Sequence, residues 1–315
     1  MTTARQWVAT GFGGPEVLHL REIDVPPPAA GEVSIAIRAS GMNPADIKHF
    51  SPGQDSRLLP VTIGYEAAGV ITAIGPSTEI ATGGGRAGDE VLTFQILGGY
   101  ASAITVPAAD VFAKPAALDF AQAANLLLAS TTAAELLATA RVSRGETVLL
   151  HGAAGAVGTS VLQQARLTGA RVIGTASEAN FGIVRSLGGT PVRYGDGLAG
   201  RVREAAPDGI AAVLDTVGSD EAVDLSLGLL PDRQRFVTLT AFSRAAKEGF
   251  AAIGASNPAS GPFRANARAG IVELAAAGDL TVPLARTFPF EDAPAAVATL
   301  AGPHPSGKLA LVLDA

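Results

Sequence analysis

From Thr147 onward, short apolar runs alternate with longer segments that have the composition of helices. The strands predicted in this half are 148–151, 171–175, 191–194, 211–216 and 234–240, and the helices between them end near 167, 187, 206 and 230. A repeated strand and helix order implies a parallel sheet with right-handed crossovers. This part of the chain therefore predicts a doubly wound α/β domain.

The first hundred residues have a different pattern, in which Pro and Gly clusters separate short runs rich in β-branched residues. Each run is too short for an ordinary helix, and the predicted strands are 32–39, 68–74, 90–93 and 101–106. This half is predicted to be mostly β.

Helical composition returns at 119–141, where Ala and Leu dominate, Gly and Pro are missing, and Asp119 is a suitable N-cap. A polar, Pro-containing break at 256–259 follows the α/β half. After it, the pattern predicts a helix over 264–277 that ends at Gly278, and a final strand over 308–313.

The segment 148–158 is an apolar run followed by very small residues, and an amphipathic stretch comes after it. A strand, tight turn and helix of this kind can present backbone N–H groups to a pyrophosphate. The glycine frame is imperfect, since it begins at Ala153 and continues with Gly155 and Gly158, and a lone match is weak evidence. Small residues also serve a close crossing of helix and strand, so this alternative stays open.

Composition narrows the range of functions. The 315 residues suffice for two domains, and 48% hydrophobic with 17% charged residues is typical of folded proteins. No apolar stretch approaches the roughly 18 residues of a membrane span, and no secretory signal is recognisable, so we expect a cytoplasmic protein without a membrane partner. The absence of cysteine excludes disulfides and sulfur-ligated zinc sites. The net charge of -6 and the lack of a basic cluster argue against a nucleic acid partner.

Eight short segments, taken together, resemble the zinc-independent quinone oxidoreductase (zeta-crystallin-like) branch of the medium-chain dehydrogenase/reductase superfamily. They are 11–18, 39–46, 64–70, 87–91, 98–101, the turn at 152, 214–218 and 307–308. The resemblance implies a GroES-like β domain, which is the catalytic domain, at 1–118 and 257–315, and a Rossmann NADP-binding domain at 119–256. It also implies a homodimer formed through the sheet edge near 236–255, although packing within one chain would equally explain the apolar residues there.

Zinc-dependent relatives carry a cysteine in the segment that matches Ser40–Met42 and a histidine where Tyr65 stands, and both ligands are missing here. The four histidines, at positions 19, 49, 151 and 304, have no ligand spacing. We therefore expect no metal and a reaction that proceeds without one. Hydride transfer to a quinone or an electron-poor C=C bond is such a reaction, because the developing charge is delocalised and hydrogen-bond donors can stabilise it.

The resemblance covers a segment of enone and alkenal reductases that Asn43, Asp46 and Lys48 match. It implies that Asn43 and Asp46 bind the cofactor, and that Asn43 also takes part in catalysis. We assign Asn43 and Lys48 to the nicotinamide and substrate end of the site. Lys48 is expected to donate to the substrate oxygen or to a cofactor phosphate, with a solvated surface lysine as the alternative. Tyr65 is a candidate proton donor or a packing residue. His49 is interpreted as a surface or packing histidine.

For the cofactor, Ala154, Gly155, Ala156 and Val157 are expected to face the pyrophosphate through their backbone N–H groups. The other predicted contacts follow strand ends or match family positions; they are Thr132, Ser177, Tyr194, Val217, Thr240, Ala241 and Phe242. An ordinary cap or turn hydroxyl is the alternative for Thr132 and for Thr216.

The residues at the end of the second strand of the α/β half determine whether NAD or NADP is preferred. An NAD enzyme places a carboxylate there, whereas this chain has Thr175, Ala176 and Ser177, which favours the 2′-phosphate of NADPH over NADH. No basic residue follows nearby, Glu178 weakens the case, and strand alternation does not favour Arg193 as the substitute.

The leading hypothesis is a zinc-free, NADPH-dependent oxidoreductase that transfers a hydride to a small electrophilic quinone or α,β-unsaturated carbonyl. Within the same superfamily, the alternative is a trans-enoyl thioester reductase. From another class, the alternative is a non-catalytic dinucleotide-binding protein with a structural or regulatory role.

Overall fold

The computed structural model describes residues 2–53, 55–230, 232–254, 257–302 and 306–314. These residues form two compact units, unit 1 with Met1–Leu128 and Ala269–Ala315, and unit 2 with Ala129–Arg268. His304 and the first residue of the predicted break, Ser256, lie outside the described residues.

The elements follow one another closely along the chain. In chain order, the strands of the described residues are β1 (Thr2–Ala9), β2 (Leu18–Val25), β3 (Glu32–Met42), β4 (Val61–Thr62), β5 (Glu66–Ile74), β6 (Glu90–Phe94), β7 (Ala103–Pro107), β8 (Val111–Ala113), β9 (Thr147–His151), β10 (Arg171–Ala176), β11 (Gly189–Arg193), β12 (Ala212–Asp215), β13 (Phe236–Thr238), β14 (Ala251–Ala252), β15 (Leu284–Pro289) and β16 (Lys308–Val312). The α-helices of the same residues are α1 (Pro44–Lys48), α2 (Phe120–Ala123), α3 (Leu127–Thr139), α4 (Ala156–Thr168), α5 (Phe181–Ser186), α6 (Leu198–Ala205), α7 (Asp220–Leu229), α8 (Phe242–Glu248), α9 (Ser260–Ala276) and α10 (Ala293–Ala301).

Unit 1 is built on two sheets. The smaller has the order β2-β1-β4, and the larger has the order β15-β16-β3-β5-β6-β8 with β7 also paired to β3. Within these sheets the pairs are antiparallel except for β15 and β16. Large buried aromatic side chains fill one core of this unit; they are Trp7, Phe50, Tyr100, Phe288 and Phe290. This unit is the predicted GroES-like β domain.

Unit 2 contains one sheet of six strands in the order β11-β10-β9-β12-β13-β14, and every pair is parallel. Alternate residues of the strands enter separate apolar clusters on the two faces: Val148 and Leu150 pack in one cluster, and Leu149 and Val213 in the other. The predicted Rossmann fold, a doubly wound parallel sheet, is therefore confirmed. Its strand order reverses beside β9, so the carboxyl ends of β9 and β12 form the edge where such sheets bind ligands.

The helix predicted over 119–141 is interrupted. Its residues form α2 and α3, which are separated near Asn125. The Asn125 amide donates to the carbonyls of Ala121 and Leu309, and its oxygen accepts from the Met42 N–H. A side chain that bonds to the backbone of two strands holds the chain out of a continuous helix.

Unit 2 spans residues 129–268, so its boundaries lie about ten residues later in the chain than the predicted boundaries at 118/119 and 256/257. The reason is apolar packing. Leu126 and Leu127 lie in the same buried cluster as Leu92 and Phe112 of the β unit, and Ile271 of α9 also belongs to that cluster.

Candidate active site

The turn after β9 is shaped by glycines. Gly152 has a φ of +80°, and a Cβ atom there would lie 2.4 Å from the Thr216 hydroxyl oxygen. At Gly158 an added Cβ would lie 2.2 Å from the Gly152 carbonyl oxygen. Helix α4 begins just after Gly155, which caps it without a side-chain hydrogen bond. The first N–H groups of α4 therefore face a surface that no capping side chain covers, as a bound phosphate requires.

The hydroxyls of the neighbouring strands hold this turn in place. Thr175 on β10 accepts from the Gly152 N–H at 3.1 Å, and the Thr216 hydroxyl donates to the His151 carbonyl at 2.8 Å. The Thr216 hydroxyl thus bonds within the turn, as in the alternative given above of an ordinary cap or turn hydroxyl.

Asp215 fixes the two loops that follow β12 and β13. Its Oδ1 accepts from the N–H groups of Val217 and Gly218, both at 2.9 Å. Its Oδ2 accepts from the Thr238 hydroxyl at 2.7 Å, and the Thr238 oxygen in turn accepts from the N–H groups of Thr240 and Ala241. A single buried carboxylate therefore organises both loops.

The parallel sheet brings most predicted cofactor residues to one edge of unit 2, since all its strands end there. Ala154 is buried in the turn, and Gly155, Ala156 and Val157 are at least partly exposed. Thr240 is exposed and Ala241 buried. Three large side chains of this edge project into solvent, namely Tyr194, Val217 and Phe242. Thr132 belongs to α3, and its side chain is buried.

A basic side chain lies near the turn that follows β10. Arg193 Nε is 3.9 Å from Glu178 Oε1, and both side chains are largely exposed. Ser177 is partly buried, and its hydroxyl oxygen accepts from the Asn180 amide at 3.0 Å. Alternation along β11 did not favour this position for Arg193, but the long side chain of a strand-terminal residue reaches the neighbouring turn. A cation therefore lies near Glu178, the residue that follows Ser177.

In unit 1, Asn43, Glu66 and Lys308 form a buried polar cluster. The Lys308 ammonium donates to the Asn43 side-chain oxygen, to Glu66 Oε1 at 3.2 Å and to the Met42 carbonyl at 3.0 Å. The Asn43 amide donates to Glu66 Oε1 at 2.9 Å, and Glu66 Oε2 accepts from the Leu128 N–H. The Asn43 oxygen and one of its amide hydrogens are thus engaged inside the unit.

Asp46 is a buried carboxyl next to this cluster. Its Oδ2 accepts from the Asn43 N–H at 2.8 Å and from the Tyr100 hydroxyl at 3.1 Å. Its Oδ1 has no hydrogen-bond partner among the described residues. Burial raises the pKa of Asp46 to about 7, against the opposing effects of the Asn43 N–H and Lys308. Asp46, which was counted among the cofactor-binding residues, is buried, and both its hydrogen-bond partners belong to unit 1.

Tyr65 and His49 meet at the end of α1. The Tyr65 hydroxyl is hydrogen-bonded to His49 Nε2, and their ring centroids are 5.0 Å apart. Both side chains are half-buried. Lys48, the residue before His49, is exposed, and its ammonium has no hydrogen-bond or ion-pair partner within the part of the chain that the structure describes. Asn43 is hydrogen-bonded to Glu66, the residue after Tyr65, and Lys48 precedes His49 in the chain. We call Asn43, Lys48, His49 and Tyr65 together the unit 1 patch.

The loop 94–99 runs beside Tyr65. The Ile96 N–H donates to the Tyr65 carbonyl at 3.2 Å, and the Gly99 N–H donates to the Gly64 carbonyl at 3.1 Å. Leu97 at its tip is 57% exposed. The loop therefore carries an exposed apolar side chain on a segment whose backbone is bonded to that of Gly64 and Tyr65.

Several of these residues were not identified from the sequence. Glu66, Lys308, Tyr100 and Asp215 received no role, and His49 was interpreted as a surface or packing residue. Lys308 could have been found, because it is a charged residue in a predicted buried strand, and a buried charge needs an oppositely charged or hydrogen-bonding partner.

The absence of zinc stays a prediction, and the donor groups of the described residues are consistent with it. The described residues contain no group of three or more His, Cys, Asp or Glu that could hold a metal ion. In addition, the Lys308 ammonium forms an ion pair with the Glu66 carboxylate, so this buried carboxylate already has a cationic partner. In the same described ranges, no helix is both long and apolar enough to cross a membrane.

Two family models match parts of this chain. Residues 29–116 match the alcohol dehydrogenase GroES-like domain, and residues 190–311 match the family described as zinc-binding dehydrogenase. Among solved structures, a mycobacterial protein complexed with NADPH has a TM-score of 0.83 at 29% identity and covers 98% of this chain and 100% of its own.

Curated relatives agree with these matches. Human quinone oxidoreductase is 39% identical over 69% of this chain and 67% of its own length. The mouse synaptic vesicle membrane protein VAT-1 homolog is 35% identical over 68% of this chain, and the chain spans about half the length of that relative, 53%. The chain therefore belongs to the medium-chain dehydrogenase/reductase superfamily and is related within it to the quinone oxidoreductases.

Proposed function

We propose that the protein is a cytoplasmic, zinc-free, NADPH-dependent oxidoreductase that reduces quinones or α,β-unsaturated carbonyls by direct hydride transfer. The observation that carries the proposal is the turn after β9, where Gly152 and Gly158 leave room for a phosphate at the uncapped start of α4. The NADPH in the related mycobacterial structure supports the choice of cofactor.

In this proposal the edge of unit 2 holds the dinucleotide. The N–H groups of residues 154–157 bind the pyrophosphate, and the side chains of Val217 and Phe242 contact the nicotinamide end. Ser177 and Tyr194 hold the adenosine end, and Arg193 adds the positive charge that a 2′-phosphate needs. The bound cofactor supplies a hydride.

Unit 1 supplies the groups for the substrate. Because the Asn43 oxygen and one amide hydrogen are bonded to Lys308 and Glu66, we assign to Asn43 mainly the orientation of this patch. Lys48 and Tyr65 are the donors that stay accessible. Either can donate to the substrate oxygen, where negative charge develops after hydride transfer.

Steady-state assays test the proposal. Purified protein is mixed with NADPH or NADH and with a quinone, an enone, an alkenal or a crotonyl thioester, and the oxidation of the cofactor is followed. We expect turnover with NADPH and with a quinone or an enone. Turnover confined to the thioester would favour the enoyl reductase alternative. Tight NADPH binding without oxidation by any acceptor would contradict the proposal and support a non-catalytic role.

A further inference from the structure

A tyrosine and a histidine that touch each other form the least expected part of the unit 1 patch. His49 Nε2 and the Tyr65 hydroxyl share a hydrogen bond, although one residue directly follows α1 and the other directly precedes β5. Both side chains are half-buried, so the pair lies at the boundary between the interior and solvent.

The backbone on each side of the pair is anchored. The His49 N–H donates to the Asp46 carbonyl at the end of α1, and the next residue, Phe50, is fully buried. On the other side, the Tyr65 carbonyl accepts from the Ile96 N–H, and Glu66 is held by Lys308. The contact between the rings is therefore set by the fold on both sides and does not rest on two free surface side chains.

The pair holds transferable protons at neutral pH. Burial lowers the pKa of His49, so its imidazole is neutral. Burial, and secondly the charge of Asp46, raises the pKa of Tyr65, so its phenol keeps its proton. A neutral imidazole carries one proton and can accept a second on its other nitrogen, which is what a relay requires.

We propose that Tyr65 and His49 form a proton relay for the reduction of carbon–carbon double bonds, an inference that rests on the proposed function. When the β-carbon of an enone gains a hydride, the π electrons of the C=C bond move into an enolate. The α-carbon then takes the phenolic proton of Tyr65. The Tyr65 oxygen takes the proton from His49 Nε2, and His49 Nδ1 takes one from water. Exchange of the ring protons with water then returns His49 to its starting tautomer, with the proton on Nε2. In sum, one hydride and one proton add across the double bond.

This role predicts a difference between the two substrate classes. Protonation of a carbon atom is slow without a positioned acid, whereas the oxygens of a reduced quinone exchange protons with water readily. The relay should therefore matter for an enone and much less for a quinone. Tyr65 is the catalytic residue of the relay, and His49 acts through it.

The experiment compares wild-type protein with the variants Tyr65→Phe and His49→Gln, each assayed with NADPH and one enone and one quinone. His19→Gln, at an exposed histidine on β2, is the matched control. We expect Tyr65→Phe to lower the ratio of enone kcat to quinone kcat by about a hundredfold or more, and His49→Gln to lower it by less. We also expect a larger solvent deuterium isotope effect on enone turnover in both variants. In a third variant, His49→Ala, added imidazole should restore part of the enone turnover. The control should leave the ratio unchanged.

One outcome would overturn the relay alone: an unchanged ratio of enone kcat to quinone kcat in both relay variants, whether both activities are kept or both fall equally, as a structural defect produces. The midpoint of urea unfolding identifies a variant that fails to fold, and the imidazole recovery of His49→Ala then decides the question. If the wild-type protein reduces neither acceptor, the proposed function fails, and the relay fails with it.

Discussion

A Cβ atom on Gly174 would lie 2.5 Å from the Cβ atom of Ala153, so the Ala153 methyl group fills the space that the glycine of β10 leaves free. Ala153 occupies the first glycine position of the dinucleotide fingerprint. The departure from the fingerprint is thus matched by a glycine on the adjacent strand.

This contact predicts coupled effects on stability. Gly174→Ala should lower the free energy of unfolding by about 1–3 kcal/mol, because two methyl groups cannot share the space. Adding Ala153→Gly should restore most of the loss, since it removes the other methyl group. Urea unfolding of the two single variants and the double variant measures the coupling. Gly182→Ala, where an added Cβ meets nothing within 4 Å, is the control. Additive effects would contradict the contact.

Cofactor preference depends on Arg193 and Glu178. Arg193→Gln should raise the KM for NADPH by about tenfold and leave the KM for NADH nearly unchanged, because only the 2′-phosphate needs the cation. Glu178→Gln should lower the KM for NADPH, since it removes a competing carboxylate. Initial rates with both cofactors test this, and Arg203→Gln on the exposed side of α6 is the control. Equal changes for NADPH and NADH would argue against this role.

Removal of the Lys308 ammonium should strongly destabilise unit 1. Lys308→Met leaves the Glu66 carboxylate buried without its ion-pair partner, and we expect a loss of about 3–5 kcal/mol in the free energy of unfolding. Lys247→Met, at an exposed lysine of α8, should change it by less than about 0.5 kcal/mol. Chemical unfolding of both variants gives the comparison. A loss below about 1 kcal/mol for Lys308→Met would show that the ion pair is not needed.

The raised pKa of Asp46 makes stability depend on pH in a defined direction. Its carboxyl has a pKa of about 7 in the folded protein and 3.8 as the reference for the unfolded chain. Between these values the folded state holds a proton that the unfolded state has released, so Asp46 lowers stability as the pH rises. Over the whole window the change amounts to about 4 kcal/mol.

Asp46→Asn resembles the protonated carboxyl, and its side-chain oxygen can still accept from the Asn43 N–H and from Tyr100. We expect the variant to lose this part of the pH dependence and to be more stable than wild type at pH 8. Unfolding free energies at pH 5, 6, 7 and 8 test the prediction, with Asp208→Asn at an exposed position as the control. A variant with the same pH slope as wild type would rule out Asp46 as the source.

We also expect a homodimer formed through β14, which lies at the edge of the six-stranded sheet and leaves one side of its backbone without a strand neighbour in the described residues. Light scattering with size-exclusion chromatography should give twice the chain mass of 31.6 kDa. Some aromatic residues near this edge serve the interior, since Phe236 and Phe250 stack with ring centroids 4.1 Å apart. A monomer mass at every concentration would refute the dimer.

The architecture was largely predictable because it depends on local patterns. Each strand of the parallel sheet is a short apolar run between turn residues, so β9 to β13 could be placed within a few residues. The turn at Gly152 was recognisable for the same reason. By contrast, β1, β2 and β15 were not assigned, because they carry polar residues on one side and lack a long apolar run.

The interior of the candidate site was less predictable, because the residues that contact each other there are far apart in the sequence. Lys308 and Glu66 are 242 residues apart, and no spacing rule links them. The break at Asn125 depends on a bond to Leu309, which is 184 residues away. The contact between His49 and Tyr65 is closer in sequence but depends on the angle at which α1 leaves β3, which composition does not determine.

Asp215 gives the edge of unit 2 a further property. Because its two oxygens hold the loop after β12 directly and the loop after β13 through Thr238, neither loop has to be ordered when a ligand arrives. A molecule that contacts both loops therefore loses little conformational entropy of the protein on binding. Affinity at this edge is accordingly set by rigidity that exists before any ligand is present, and loss of one carboxylate would loosen both loops together.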